Sequence, residues 1–183
     1  MNQCLKGIEM IRRILVPVDG SKQSVKAVEL ASDLASKYDS EVILLHVLLR
    51  GHMSDGLKRA LNIEVGKPRT HANNLHLVEV PPEITARVDS ANEAQLSIEQ
   101  LQVVGSFVLS SVETICKDAG LSKITKRVEE GDPARVIIKM AEDTKPDMII
   151  MGSRGLSSLK GILIGSVSNK VSQLAKCTCV TVR

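Results

Sequence analysis

An α/β fold, built as an open five-stranded parallel sheet with helices on both faces, is the architecture this sequence predicts. Three observations carry the prediction. Short, nearly continuous apolar runs recur at 14–18, 41–47, 148–151 and 179–182, as strands buried on both faces do. Between them lie stretches with apolar residues at three- and four-residue steps, the period of an amphipathic helix. Glycine, serine and aspartate gather just after the runs, where a parallel sheet builds its ligand-binding loops.

Ile14-Leu-Val-Pro-Val18 is the first strand, ending in Asp19-Gly20-Ser21. Pro17 has no N–H for a ladder, which places it at the strand's carboxyl end. From Ser24 to Tyr38 the positions Val25, Val28, Ala31, Leu34 and Ala35 form one helical stripe, with Ser21 or Ser24 as its cap. Glu41 to Val47 is the second strand, which completes a βαβ unit with a right-handed crossover.

Residues 49–82 break the rhythm with Gly51, Gly56, Gly66, Pro68, Pro81 and Pro82 among polar residues, so an insertion is expected there, with room for a short helix at 57–63. A long helical pattern follows from Ile84 to Ala119 and stops at Gly120, a suitable residue beyond a helix end. Gly105 is a point where this helix is expected to bend or divide. Lys123–Glu130 reads as the third strand, Asp132-Pro133 as the cap and first turn of a helix through Met140 and Ala141, and Met148–Met151 as the fourth strand. A short helix after Ser166 leads to the final strand, Cys179–Val182. At 183 residues the chain suits a single domain, with a leader at 1–10 and the insertion at about 49–82.

Bulk properties narrow the function. Apolar residues make up 43% and charged residues 25%, ordinary values for a globular chain. The formal charge is only +3, and no basic run marks a nucleic-acid surface. Tyr38 and Phe107 are the whole aromatic complement, too few to stack bases. With no export signal and no 18-residue apolar window, the expected location is cytoplasmic and no membrane partner is expected.

The stretch after the fourth strand carries the chemistry. It reads Met151-Gly-Ser-Arg-Gly155, then continues to Gly165-Ser-Val-Ser168. Gly152 and Gly155 bring backbone to a ligand without an intervening Cβ. Gly165, Ser166 and Ser168 stand at a helix start, where unpaired N–H groups attract an anion, and Arg154 adds positive charge.

This G-x2-G-x9-G-S pattern, together with Ile14-Leu-Val-Pro-Val-Asp-Gly-Ser21, resembles the ATP-binding branch of the universal stress protein family (UspA-like). The resemblance covers residues 11–183 apart from the insertion. It implies a Rossmann-like sheet of the adenine nucleotide alpha hydrolase-like kind, an ATP site with Mg²⁺ on the phosphates, a stress-response or signalling role and a homodimer. Carried over by position, Pro17, Val18 and Asp19 lie on the adenine and ribose side, and Val47 walls the adenine pocket. Met151 and Gly152 line the ribose and phosphate path, while Arg154, Gly155, Gly165, Ser166, Val167 and Ser168 hold phosphates. Cys179–Val182 is expected at a sheet edge, pairing with a second copy.

Other chemistry is weaker in this sequence. His46, His52, His71 and His76 lack a zinc enzyme's spacing, and His46 reads as a buried strand residue. Cys177 and Cys179 share a strand face as core packing. Lys160 is not in a G-x4-G-K-[ST] context. No general base is placed by motif, so a non-catalytic ATP-binding protein is expected. The alternatives are a slow ATPase at the same site and a nucleotide-free interaction scaffold.

Overall fold

The computed structural model describes residues 11–49, 98–155 and 164–183. The expected leader at 1–10, the insertion beyond Leu49, the short helix at 57–63 and the beginning of the long helix lie outside the described residues.

The described chain alternates strand and helix. The order is β1 (Arg13–Pro17), α1 (Lys22–Tyr38), β2 (Glu41–Leu48), α2 (Ile98–Asp118), β3 (Ile124–Glu130), α3 (Pro133–Thr144), β4 (Met148–Gly152), α4 (Ser166–Leu174) and β5 (Thr178–Val182). All neighbouring strands pair in parallel, in the order β3-β2-β1-β4-β5. Four of the five parallel strands coincide with the apolar runs, and β3 is the strand read at Lys123–Glu130.

Strand alternation divides the core in two. Ile14, Val16, Val42, Leu44 and Ile150 face α1 and α2, where they meet Ala27, Val28, Val104 and Val108. Leu15, Ile43, Leu45, Ile149 and Met151 face α3 and α4, against Ile137 and Val171. Both faces of the central strands are therefore covered, which is why their sequences are apolar without alternation. Cys177 and Cys179 pack against the second of these clusters, as their shared face predicts.

The helix ends follow local rules. Ser21 is the cap of α1, accepting from Ser24 N at 3.1 Å, and Asp132 caps α3 by accepting from Arg135 N at 2.9 Å. Gly20, at φ 84°, makes the sharp turn between β1 and α1.

Gly105 corrects the sequence reading. Instead of bending or dividing the helix, it sits inside an unbroken α2. A Cβ there would meet His46 Cδ2 at 2.9 Å, Val128 Cγ1 at 3.0 Å and Leu48 Cδ2 at 3.2 Å. The missing side chain lets α2 lie close on β2 and β3.

The strand order sets the place of the site. From β1 the chain moves outward through β2 to β3, then returns across the sheet to β4 on the other side of β1. Loops leaving β1 and β4 diverge to opposite faces and open a crevice beyond their carboxyl ends, where ligands of such sheets bind.

Candidate functional site

A cavity of about 270 Å³ occupies that crevice. All twelve residues singled out from the sequence line it: Pro17, Val18, Asp19, Val47, Met151, Gly152, Arg154, Gly155, Gly165, Ser166, Val167 and Ser168. Three chain segments, far apart in sequence, meet there because β1, β2 and β4 are neighbours that run in one direction.

The β1 side is held by a short turn. Val18 N donates to Leu45 O at 2.8 Å, extending the ladder one residue past Pro17. Asp19 Oδ1 then accepts from Ser21 N at 3.0 Å, so Asp19 supports the turn before α1 while Ser21 performs the capping. The other carboxylate oxygen, Oδ2, faces Gly155, whose Cα has no side chain to obstruct it. This contact joins the loop after β1 to the loop after β4.

On the β4 side each polar group has a definite task. Gly165 N donates to Ser153 O at 2.7 Å, and Ser168 Oγ donates to Ser153 O at 2.8 Å, with Gly165 O at 3.1 Å. These bonds fasten the start of α4 to the end of β4. They also turn the Gly165 amide and the Ser168 hydroxyl proton toward Ser153 rather than toward a ligand. Gly152 serves packing: a Cβ there would meet Gln23 Cβ at 2.8 Å and the Gln23 backbone carbon at 3.0 Å. Among the described glycines, positive φ occurs at Gly20, Gly120 and Gly131, so close approach, not left-handed backbone, is what Gly152 and Gly155 provide.

What remains for a ligand is the first turn of α4. Gly165 is its cap and supplies no side-chain hydrogen bond, while the N–H groups of Ser166, Val167 and Ser168 precede the first intrahelical donor, Asn169 N, which bonds Gly165 O at 2.9 Å. The helix dipole adds positive potential at the same end. Ser166 and Arg154 are exposed beside it, so backbone amides, one hydroxyl and one guanidinium stand together at this edge of the cavity.

The rest of the lining is largely apolar. Leu48, Leu101 and Val104 form a wall on the α2 side, and Pro133 and Ile137 form one on the α3 side. These residues escape sequence reasoning, because an apolar helix position facing a cavity looks like one facing the core. Pro133 had a usable signal, since it follows a strand exit and opens a helix. His46 also lines the cavity. It is buried as predicted, with Nδ1 2.7 Å from Val18 O, and burial pushes its basicity below the ordinary histidine value against the opposing effects of Val18 O and Asp19.

Among the described residues no group of three His, Cys, Asp or Glu side chains is placed to hold a metal ion. No described helix is long and apolar enough to cross a membrane.

The profile of the universal stress protein family matches residues 10–183. The chain belongs to that family. Among its curated relatives, universal stress protein MJ0531 of Methanocaldococcus jannaschii is 28% identical over 97% of this chain and 85% of its own length. Universal stress protein YxiE of Bacillus subtilis is 29% identical over 95% of this chain and 100% of its own. The solved structure of protein MJ0577 is 25% identical with a TM-score of 0.65, covering 94% of this chain and 96% of that one. Two solved family structures hold nucleotides and share the fold at lower identity. A complex with cAMP is 20% identical with a TM-score of 0.59, covering 95% and 98% of the two chains. An Archaeoglobus fulgidus complex with dAMP is 16% identical with a TM-score of 0.59, covering 95% and 99%.

Proposed function

We propose that the crevice binds an adenine nucleotide, with ATP as the full-length occupant, and that occupancy serves stress-response signalling rather than turnover. The observation that carries this reading is that apolar side chains, a carboxylate and a helix start without a side-chain cap line one cavity. A base fits between Val47 and the apolar walls. The Asp19 carboxylate suits ribose hydroxyls as an acceptor. The amides of Ser166, Val167 and Ser168, with Arg154 and the Ser166 hydroxyl, suit phosphate oxygens. With no cluster of three such ligands among the described residues, Mg²⁺ would ride on the phosphates. The cAMP and dAMP complexes of family members support the same ligand class.

Signalling needs a surface that reads occupancy. β5 is an edge strand of the sheet, and a homodimer formed through Cys179–Val182 would cover its unpaired backbone groups next to the β4 loop. A cytoplasmic location accords with this role.

Mass spectrometry of ligand released from freshly purified protein, followed by calorimetric titration with AMP, ADP and ATP with and without Mg²⁺, tests the proposal. Adenine nucleotide in the released fraction and saturable binding that weakens in Asp19→Ala are expected. Absence of binding by all three nucleotides would overturn it.

A further inference from the structure

Two of the four cysteines in the sequence stand together. Cys177 and Cys179 flank Thr178, the first residue of β5, and both pack against the core cluster under α3 and α4. Both are free thiols and both are half-buried, so the pair is not sealed inside the core. Cys179 Sγ turns back along the chain to lie 3.7 Å from the carbonyl oxygen of Cys177. The two side chains are near enough that ionisation of Cys177 opposes that of Cys179.

The pair is poorly suited to redox or nucleophilic work. Burial pushes both thiols up from the ordinary cysteine value, and the Asp147 carboxylate opposes ionisation of Cys177 further. The neighbouring Lys176 ammonium, which could have stabilised a thiolate, pairs with Glu142 at 3.2 Å. Thiols kept protonated in this way attack slowly. A disulfide is also disfavoured by the backbone. An extended residue between the two sets their Cα atoms about 6.6 Å apart, at the outer end of the range of about 4.4–6.8 Å that a disulfide spans. A metal ion between the sulfurs asks for less, because it leaves them about 4.6 Å apart, twice a metal–thiolate bond.

The number of ligands selects the ion. Among the described residues no third His, Cys, Asp or Glu joins the pair. Structural zinc takes four ligands, and calcium and magnesium take oxygen. Two sulfurs alone suit a soft monovalent ion of linear coordination, and thiolates select Cu(I) among the biological metals. We infer that Cys177 and Cys179 form a two-coordinate Cu(I) site at the start of β5, separate from the nucleotide cavity, whose lining includes neither residue. One Cu⁺ displaces the two thiol protons to water and leaves a bis-thiolate complex of charge −1, with no change of oxidation state. The side chains lie on the α3 and α4 face of the sheet, so the backbone edge of β5 stays open to a second copy.

Anaerobic titration with Cu(I) in competition with a chromogenic Cu(I) chelator tests the site. Full-length Cys4→Ser protein is used, so that the pair is read without Cys4, and Cys116 is fully buried between α1 and α2 beside Ser32. One ion per chain is expected, with two sulfur neighbours by X-ray absorption. Adding Cys177→Ser or Cys179→Ser should weaken binding by about a hundredfold or more, the loss when two tethered ligands become one. Unchanged affinity in either variant overturns the inference, as does a stoichiometry of one ion per two chains. A second measurement leaves the pair intact. With one Cu(I) bound, iodoacetamide should label Cys177 and Cys179 far more slowly than in the metal-free protein, as mapped by peptide mass spectrometry. Labelling of both at the metal-free rate overturns the assignment.

Discussion

Asp19 and Gly155 touch across the crevice: a Cβ at position 155 would run into Asp19 Oδ2 and stand 3.6 Å from its Cγ. The carboxylate cannot simply swing aside, because Oδ1 is held by Ser21 N. Gly155→Ala is therefore expected to displace Asp19 and weaken AMP binding by about tenfold or more, the loss typical of a charge-assisted hydrogen bond. The fold should persist, since Asp19 is the neighbour that the added methyl meets. Calorimetry and thermal melting check both parts. In an Asp19→Ala background the same substitution should add little, and additive losses would show that the contact is not the cause.

Gly165→Asp separates stability from binding. At the cap of α4 a carboxylate would accept from the first-turn amides and complement the dipole, and position 165 has room, with Arg154 Cα and Ser153 O both 3.5 Å from a Cβ. The expected gain in unfolding free energy is about 0.5 kcal/mol. The same carboxylate occupies and repels the anion site, so AMP affinity should fall at least about tenfold. Urea unfolding and titration calorimetry should move in opposite directions. Parallel movement would mean that the helix start is not where the phosphate sits.

Gly105 shows where sequence reading stops. In the interior of an ordinary helix, replacing Gly by Ala stabilises by about 0.5–1 kcal/mol. Here the methyl would meet His46, Val128 and Leu48 within 3.2 Å, and Gly105→Ala is expected to destabilise by about 1–3 kcal/mol, the usual result of overpacking. Chemical denaturation decides the sign.

The contrast with the strands is physical. Ile14–Val16 and Val42–Leu45 are apolar because both faces of the sheet are covered, and a run of residues is enough to say so. Which strand lies next to which depends on crossovers, so the order β3-β2-β1-β4-β5 is not contained in any run. Of the twelve cavity residues, Gly152, Arg154, Gly155, Gly165, Ser166 and Ser168 were legible from residue type after β4, whereas Pro17, Val18, Asp19, Val47, Met151 and Val167 were placed by the family resemblance. Leu101 and Val104 were legible from neither, because their helical stripe is the same whether it meets core or cavity. Residue type also hid the duties of Gly152 and Gly165: Gln23 explains one and Ser153 O the other, and both partners come from distant turns or adjacent elements.

The pH dependence of stability follows from His46. Its folded-state pKa is lowered, first by burial, with Val18 O and Asp19 opposing. The unfolded chain, with histidine near pH 6.5, thus binds a proton that the folded chain refuses. The stabilisation is fully present above the unfolded pKa and is lost as pH falls from there toward the folded value, at up to about 1.4 kcal/mol per pH unit. Glu41 and Glu113 act in a lower window. Arg13 holds the first and Lys126 the second below the ordinary carboxylate range, so their contribution is lost only as pH falls through those depressed values. Between about pH 7.5 and about pH 5.5, wild-type protein should lose more unfolding free energy than His46→Asn. Equal losses in urea titrations of the two proteins would mean that the imidazole takes up its proton as readily folded as unfolded, and that burial against Val18 and Gly105 does not keep it neutral.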